Sequence, residues 1–187
     1  DTILLGLIAE EKRRESEMKR IVGSLDVWKK VFDPIDGCGE RIAAGIIAAI
    51  GDIRRFVVAS GVRKKDRTQH KVKAFCGVHV MQGGKYTDVL PAKSFPRRRA
   101  GQLSNWSPLA RQSLYLLGEQ FNKRPGSVWG QKLREYKELL RQKHPEVVEV
   151  QNGTGTVKKY TNGHIHKMAI WRTLTKFVEH MTSEWLA

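Results

Sequence analysis

Two glycines set one residue apart, Gly37 and Gly39, follow Pro34-Ile35-Asp36 and open the run Glu40-Arg41-Ile42-Ala43-Ala44-Gly45-Ile46-Ile47-Ala48-Ala49-Ile50. Glycine takes positive φ without a Cβ clash, so the chain is expected to reverse tightly here and start a helix near Glu40. First-turn amides of a helix have no intrahelical acceptor, and the aligned peptide dipoles favour an anion beside them. Cations stand nearby in sequence: Arg41 in that turn, Arg54 and Arg55 after the helix, then Arg63-Lys64-Lys65 and Pro96-Arg97-Arg98-Arg99. Three adjacent guanidinium groups face solvent or an anion, because a core does not accept them unpaired. The alternatives are a Gly-rich turn between core helices with no ligand, and a solvated linker over residues 61–71.

Other chemistry-bearing residues fit no site. His164 and His166 stand two apart near a helix start, which points them to different faces. Structural or phosphate-contacting roles are expected for them rather than metal ligation. Glu10, Glu11, Glu15 and Glu17 are interleaved with Lys and Arg and read as a solvated face. Cys38 and Cys76 form no metal-type pair, which fits a reduced cytosolic protein. Four of the five Trp fall on helical stripes, which leaves Trp106, in a loop, to stack on a base.

The elements that must position these residues are mostly helical. Apolar residues near three- and four-residue steps (Leu4, Ile8, Met18, Ile21, Leu25, Trp28, Phe32) predict one long helix over 2–32 with a charged middle. It reads either as a coiled-coil arm, through which copies of the chain would associate, or as an ordinary amphipathic helix. Asp33-Pro34 ends it. The hairpin helix follows, with Ile42, Ile46, Ile50 and Ile53 on a buried stripe. Short helices are predicted from 53 and over 71–78, then an irregular stretch from 79 to 105 with at most a short strand. Ser107-Pro108 marks the start of a helix that turns Leu109, Leu114, Leu117 and Phe121 inward. Another helix is predicted over 128–144, a loop or hairpin tip over 151–156, and a closing helix from about Asn162 to Trp185.

The 187 residues, 40% of them hydrophobic, suffice for one sizeable domain or one domain plus an extension and exclude a disordered tail. The expected division is an arm over 1–32 and a helical domain over 33–187. Thirty-four Lys and Arg against nineteen Asp and Glu give a net charge of +15, which argues for a polyanionic partner, nucleic acid before membrane. No apolar run reaches the roughly 20 residues of a bilayer span. The start at Asp1 rather than Met suggests a piece cut from something longer.

Four pieces in one order carry a family resemblance: the hairpin and helix ending in Gly51-Asp52-Ile53-Arg54-Arg55-Phe56; Lys73-Ala74-Phe75-Cys76-Gly77-Val78; Ser94-Phe95-Pro96-Arg97-Arg98-Arg99 with Leu109-Ala110-Arg111-Gln112-Ser113-Leu114-Tyr115; and Gly163-His164-Ile165-His166-Lys167-Met168-Ala169. From about Leu25 onward the chain resembles the C-terminal transposase domain of insertion-sequence recombinases. The N-terminal half of those proteins is a RuvC-like, four-carboxylate domain, and members use a structured guide, or bridge, RNA. The resemblance implies a mainly α domain with a helix-hairpin-helix, DNA and structured RNA as partners, and a prokaryotic, nucleoid-associated cytosolic setting.

It implies Mg²⁺ on the carboxylates of the other half, so this piece is expected to hold no metal and to be inactive alone. The family's serine nucleophile sits in a Ser-Gly step after the segment matching Phe75-Cys76-Gly77-Val78. Here that loop reads Val80-Met81-Gln82-Gly83-Gly84-Lys85-Tyr86-Thr87-Asp88, with no serine. Ser94 is the nearest serine and the candidate nucleophile, with Arg97, Arg98 and Arg99 as bidentate phosphate ligands; Thr87 is a weaker candidate, and an ordinary loop serine is the alternative. A non-catalytic helix-hairpin-helix module, or an interaction piece that dimerises through its first helix, are the rival readings.

Overall fold

Residues buried along the closing helix cover more than one face: Ile165, Ala169, Ile170, Thr173, Leu174, Phe177, Val178, Met181 and Thr182. A helix apolar over so wide an arc needs neighbours on several sides. In a computed structural model of the chain it is the central post. The structure describes residues 2–59, 64–81, 95–96, 101, 103–152 and 155–187. In order these form α1 (Thr2–Ser24), a π-helical turn (Trp28–Phe32), α2 (Glu40–Ile50) and a 3-10 turn (Ile53–Phe56). Then come α3 (Lys64–Phe75), α4 (Pro108–Lys123), α5 (Val128–Lys143), the strands β1 (Val148–Asn152) and β2 (Gly155–Lys159), and α6 (Asn162–Leu186). Among the described residues the fold is mainly α, with one antiparallel hairpin in which Asn152 pairs with Gly155.

Packing around α6 follows from ring shape and from one small residue. Phe177 meets Phe121 of α4 at 5.7 Å and Trp129 of α5 at 5.2 Å between ring centroids. Phe32 meets Trp185 edge-on at 5.9 Å, which ties the π-helical turn to the end of α6. Gly118 lets α4 approach closely, since a Cβ there would lie 2.8 Å from Ile170. Each long helix after α3 opens on a hydroxyl cap: Ser107 accepts from the Ala110 amide, Ser127 from Gly130 and Thr161 from His164. Such caps satisfy a first-turn donor and fix where the helix begins.

The helix predicted over 2–32 is not continuous. It breaks at Leu25, after Gly23 and Ser24, and resumes into the π-helical turn. Gly and Ser are weak helix formers, and the Ser24 hydroxyl donates to the Ile21 carbonyl at 2.7 Å, a bond that bends helices. Of α1 only Val22 is buried; Ile3, Leu4, Leu5, Leu7 and Ile8 are exposed. Hydrogen bonds from Arg13 and Arg14 hold the Glu10 carboxyl down to about 2, which fits a solvated charged face. Among the described residues no helix is long and apolar enough to cross a membrane.

Three imidazoles make the fold sensitive to mild acid. Burial holds His79, His144 and His166 below the ordinary histidine value of 6.5. The Nδ1 of His79 is buried without a partner among the described residues, and His144 stacks on Tyr160 at 3.8 Å. Unfolding releases these rings to bind protons, so the unfolded chain takes up more protons than the native one as pH falls through 6.5. The melting temperature is therefore expected to be flat above about pH 7 and to decline below about 6.5. A melting temperature that rises on acidification to pH about 5 would contradict this.

Candidate nucleic-acid interface

Helix α2 begins at Glu40 as its sequence predicts, but the two glycines before it act differently. Gly37 is left-handed, with φ +90°, and a Cβ there would lie 2.9 Å from Gln120 Cβ and 3.0 Å from Arg124 of α4. Both the backbone conformation and the close approach require glycine. Gly39 does not reverse the chain: at φ −75° and ψ 165° it is an extended N-cap. Having no side chain, it caps nothing. The amides of Gly39, Glu40 and Arg41 consequently have no acceptor among the described residues, and Gly39 and Arg41 are exposed. Beneath them Ile35 and Cys38 anchor the bend in the core. Burial pushes the Cys38 thiol up to about 12, so it is no nucleophile. The buried stripe of α2 is Ala43, Ile46 and Ile50, continued by Ile53, with Ile42 only half-buried.

The predicted cations divide into free, engaged and undescribed. Arg41 is exposed on the first turn of α2 with no ion pair among the described residues. Arg54 Nε instead donates to the Asp52 carboxylate at 3.0 Å, a bond that holds Asp52 below its usual range. Arg55 lies over the rings of Phe56 and Phe75, at 4.6 and 4.7 Å. Both guanidinium groups are exposed, but neither waits empty-handed for a phosphate. Lys65 faces a cleft described below. Arg63, Thr87, Ser94, Arg97, Arg98, Arg99 and the Lys64 side chain lie outside the described residues. Arg124, which the sequence does not single out, is exposed against Gly37 at the end of α4.

A cleft of about 710 Å³ borders the same bend, with Pro34, Ile35 and Asp36 on one wall and α3, α5 and α6 on the others. Lys65, Lys132, Lys176 and His180 line it with Glu179 and Trp129. Glu179 is already matched: Lys73 donates to it at 2.7 Å and Lys176 at 2.8 Å. Burial alone would raise its pKa, but those two bonds outweigh burial and leave it lowered.

Trp106 is not free to stack on a base. It packs against Gly77, where a Cβ would lie 2.8 Å from the indole, and against the Arg111 guanidinium at 5.0 Å. Arg111 also sits over Trp171 at 4.4 Å and donates to the Gly77 carbonyl at 3.0 Å. Phe95 meets Trp171 at 6.2 Å, and the Ser107 amide donates to the Phe75 carbonyl, which joins the residues on either side of the central stretch. His164 Nδ1 accepts from the Tyr160 amide at 2.9 Å, where Tyr160 is left-handed at φ 60°. His166 instead faces Glu119 at 3.8 Å.

Among the described residues no three His, Cys, Asp or Glu side chains converge to hold a metal. The Mg²⁺ that the resemblance implies finds no ligand set among those residues. Comparison of the chain with protein-family models, curated proteins and solved structures finds no match.

Proposed function

We propose that this chain is the nucleic-acid-binding C-terminal portion of a DNA transposase or recombinase, which grips a phosphate backbone at the bend before α2. The observation that carries the reading is the uncapped, exposed first turn of α2, with Arg41 on it and Arg124 beside Gly37, in a chain of net charge +15. Helix amides and guanidinium groups together supply donors and positive potential where a phosphate oxygen would lie.

Phosphate contacts set register but read no sequence, so target choice falls to base pairing in a guide RNA. In this reading Ser94 is the candidate nucleophile and Arg97, Arg98 and Arg99 are its phosphate ligands, and Mg²⁺ held by a carboxylate domain would supply further charge stabilisation. Copies of the chain associate through α1 in this reading, whose first turns carry exposed Ile and Leu, and the protein works at the nucleoid of a prokaryotic cytosol. Arg41→Glu is expected to weaken binding of duplex DNA by roughly tenfold, read by fluorescence anisotropy. Unchanged affinity would remove the bend from the interface.

A further inference from the structure

We propose that the cleft between the bend, α5 and α6 is a second, separate site, built for a short stretch of unpaired nucleic-acid strand. The inference rests on the nucleic-acid reading above but concerns a different surface, so the two can fail independently.

Charge, size and ring chemistry point the same way. Lys65 and Lys132 reach the cleft and have no ion pair among the described residues. Lys176 and Lys73 share the single Glu179 carboxylate, which offsets one of their two charges, and the exposed Asp36 carboxylate on the rim offsets only one of the two free cations. The Ser127 hydroxyl caps Gly130, which leaves the amides of Val128 and Trp129 without acceptors at the same edge. A cleft of about 710 Å³ falls within the range of small-molecule pockets, about 300–1,000 Å³, so it admits a few nucleotide units and not a duplex.

The rings select nucleic acid over a plain anion. Trp129 and His180, 5.7 Å apart between centroids, both line the cleft. Trp129 already packs on Phe121 and Phe177, so the exposed His180 ring beside it offers the face: an unpaired base can lie on that imidazole while its phosphate reaches the lysines, an arrangement that tolerates any base. A paired base has no such face to offer. A strand opened beside a gripped duplex would therefore be held here, one wall away from the bend.

The test uses the whole chain and a fluorescein-labelled oligo-dT of about eight nucleotides, beside a duplex, an abasic strand of the same length and a poly-glutamate peptide. The double variant Lys65→Gln/Lys132→Gln is expected to weaken oligo-dT binding by roughly tenfold while duplex affinity changes less than about twofold. The abasic strand is expected to bind more weakly than oligo-dT to the unaltered chain. Arg41→Glu is expected to do the reverse of the double variant, weakening duplex and sparing oligo-dT. Oligo-dT binding untouched by the double variant would overturn the proposal. So would equal binding of the abasic strand, which would leave an anion site only, or tighter binding of poly-glutamate, which would point to an acidic protein partner. Loss of duplex binding alone in Arg41→Glu, with oligo-dT unaffected by the double variant, would sink this site and leave the bend standing.

Discussion

Raising the salt from about 50 to about 200 mM is expected to weaken duplex DNA binding on the order of 10³-fold. The reasoning starts from charge: 34 cationic against 19 acidic side chains leave a large surplus. Several acidic groups are already matched within the chain, as in the pairs of Glu10 with Arg13 and Arg14, Asp52 with Arg54, and Glu179 with Lys73 and Lys176. Much of the remaining positive charge is free to displace counterions from DNA. Each phosphate neutralised releases counterions, and about six such contacts suffice for a loss of that size. Binding measured by anisotropy across that range should give a steep, linear log–log plot. A flat plot would mean that the surplus serves solubility instead.

Truncating Phe177 to Ala is expected to destabilise the fold by about 3–5 kcal/mol. Phe177 is fully buried on α6, with Phe121 and Trp129 against its ring, so its loss leaves a cavity where α4, α5 and α6 meet. For a chain of this size the melting temperature should fall by roughly 6–20 °C. The same cavity would loosen the first turn of α5, since Trp129 sits there. A change below about 1 kcal/mol in denaturant unfolding would show that α6 is not the central post.

What was legible in the sequence was legible for local reasons. Ser107-Pro108 reads as a helix start because a hydroxyl cap and a proline at the first position act over a few residues, and α4 begins there. The start of α2 and the length of α6 follow from similarly local patterns, whereas residues 151–156 read only as a loop or a hairpin tip until the pairing of Asn152 with Gly155 decides it. The break at Leu25 was missed because the apolar spacing carries on through it, while the Gly23-Ser24 step that weakens the helix is not apolar. Gly37 and Gly39 look alike as letters; only the approach of Gln120 and Arg124 separates the left-handed one from the extended cap. Arg54, Arg55 and Trp106 read as available because their partners are a nearby carboxylate, two aromatic rings, and a guanidinium with a glycine, which periodicity does not weigh. The cleft was invisible. Lys65, Lys132 and Lys176 come from three helices far apart in the chain, and only the tertiary fold brings them to one rim.

The central claim is that the bend before α2 is where the phosphate backbone is gripped, with the surplus charge around it adding to the contacts made there. It is tested most directly by comparing two charge reversals of equal size in a duplex titration at constant salt. Arg41→Glu alters the first turn of α2, whereas Lys158→Glu alters β2, beyond the C-terminal end of α5 whose first turn borders the bend. The account predicts roughly tenfold weaker binding for Arg41→Glu and no more than about twofold for Lys158→Glu. Equal losses in the two variants would contradict it.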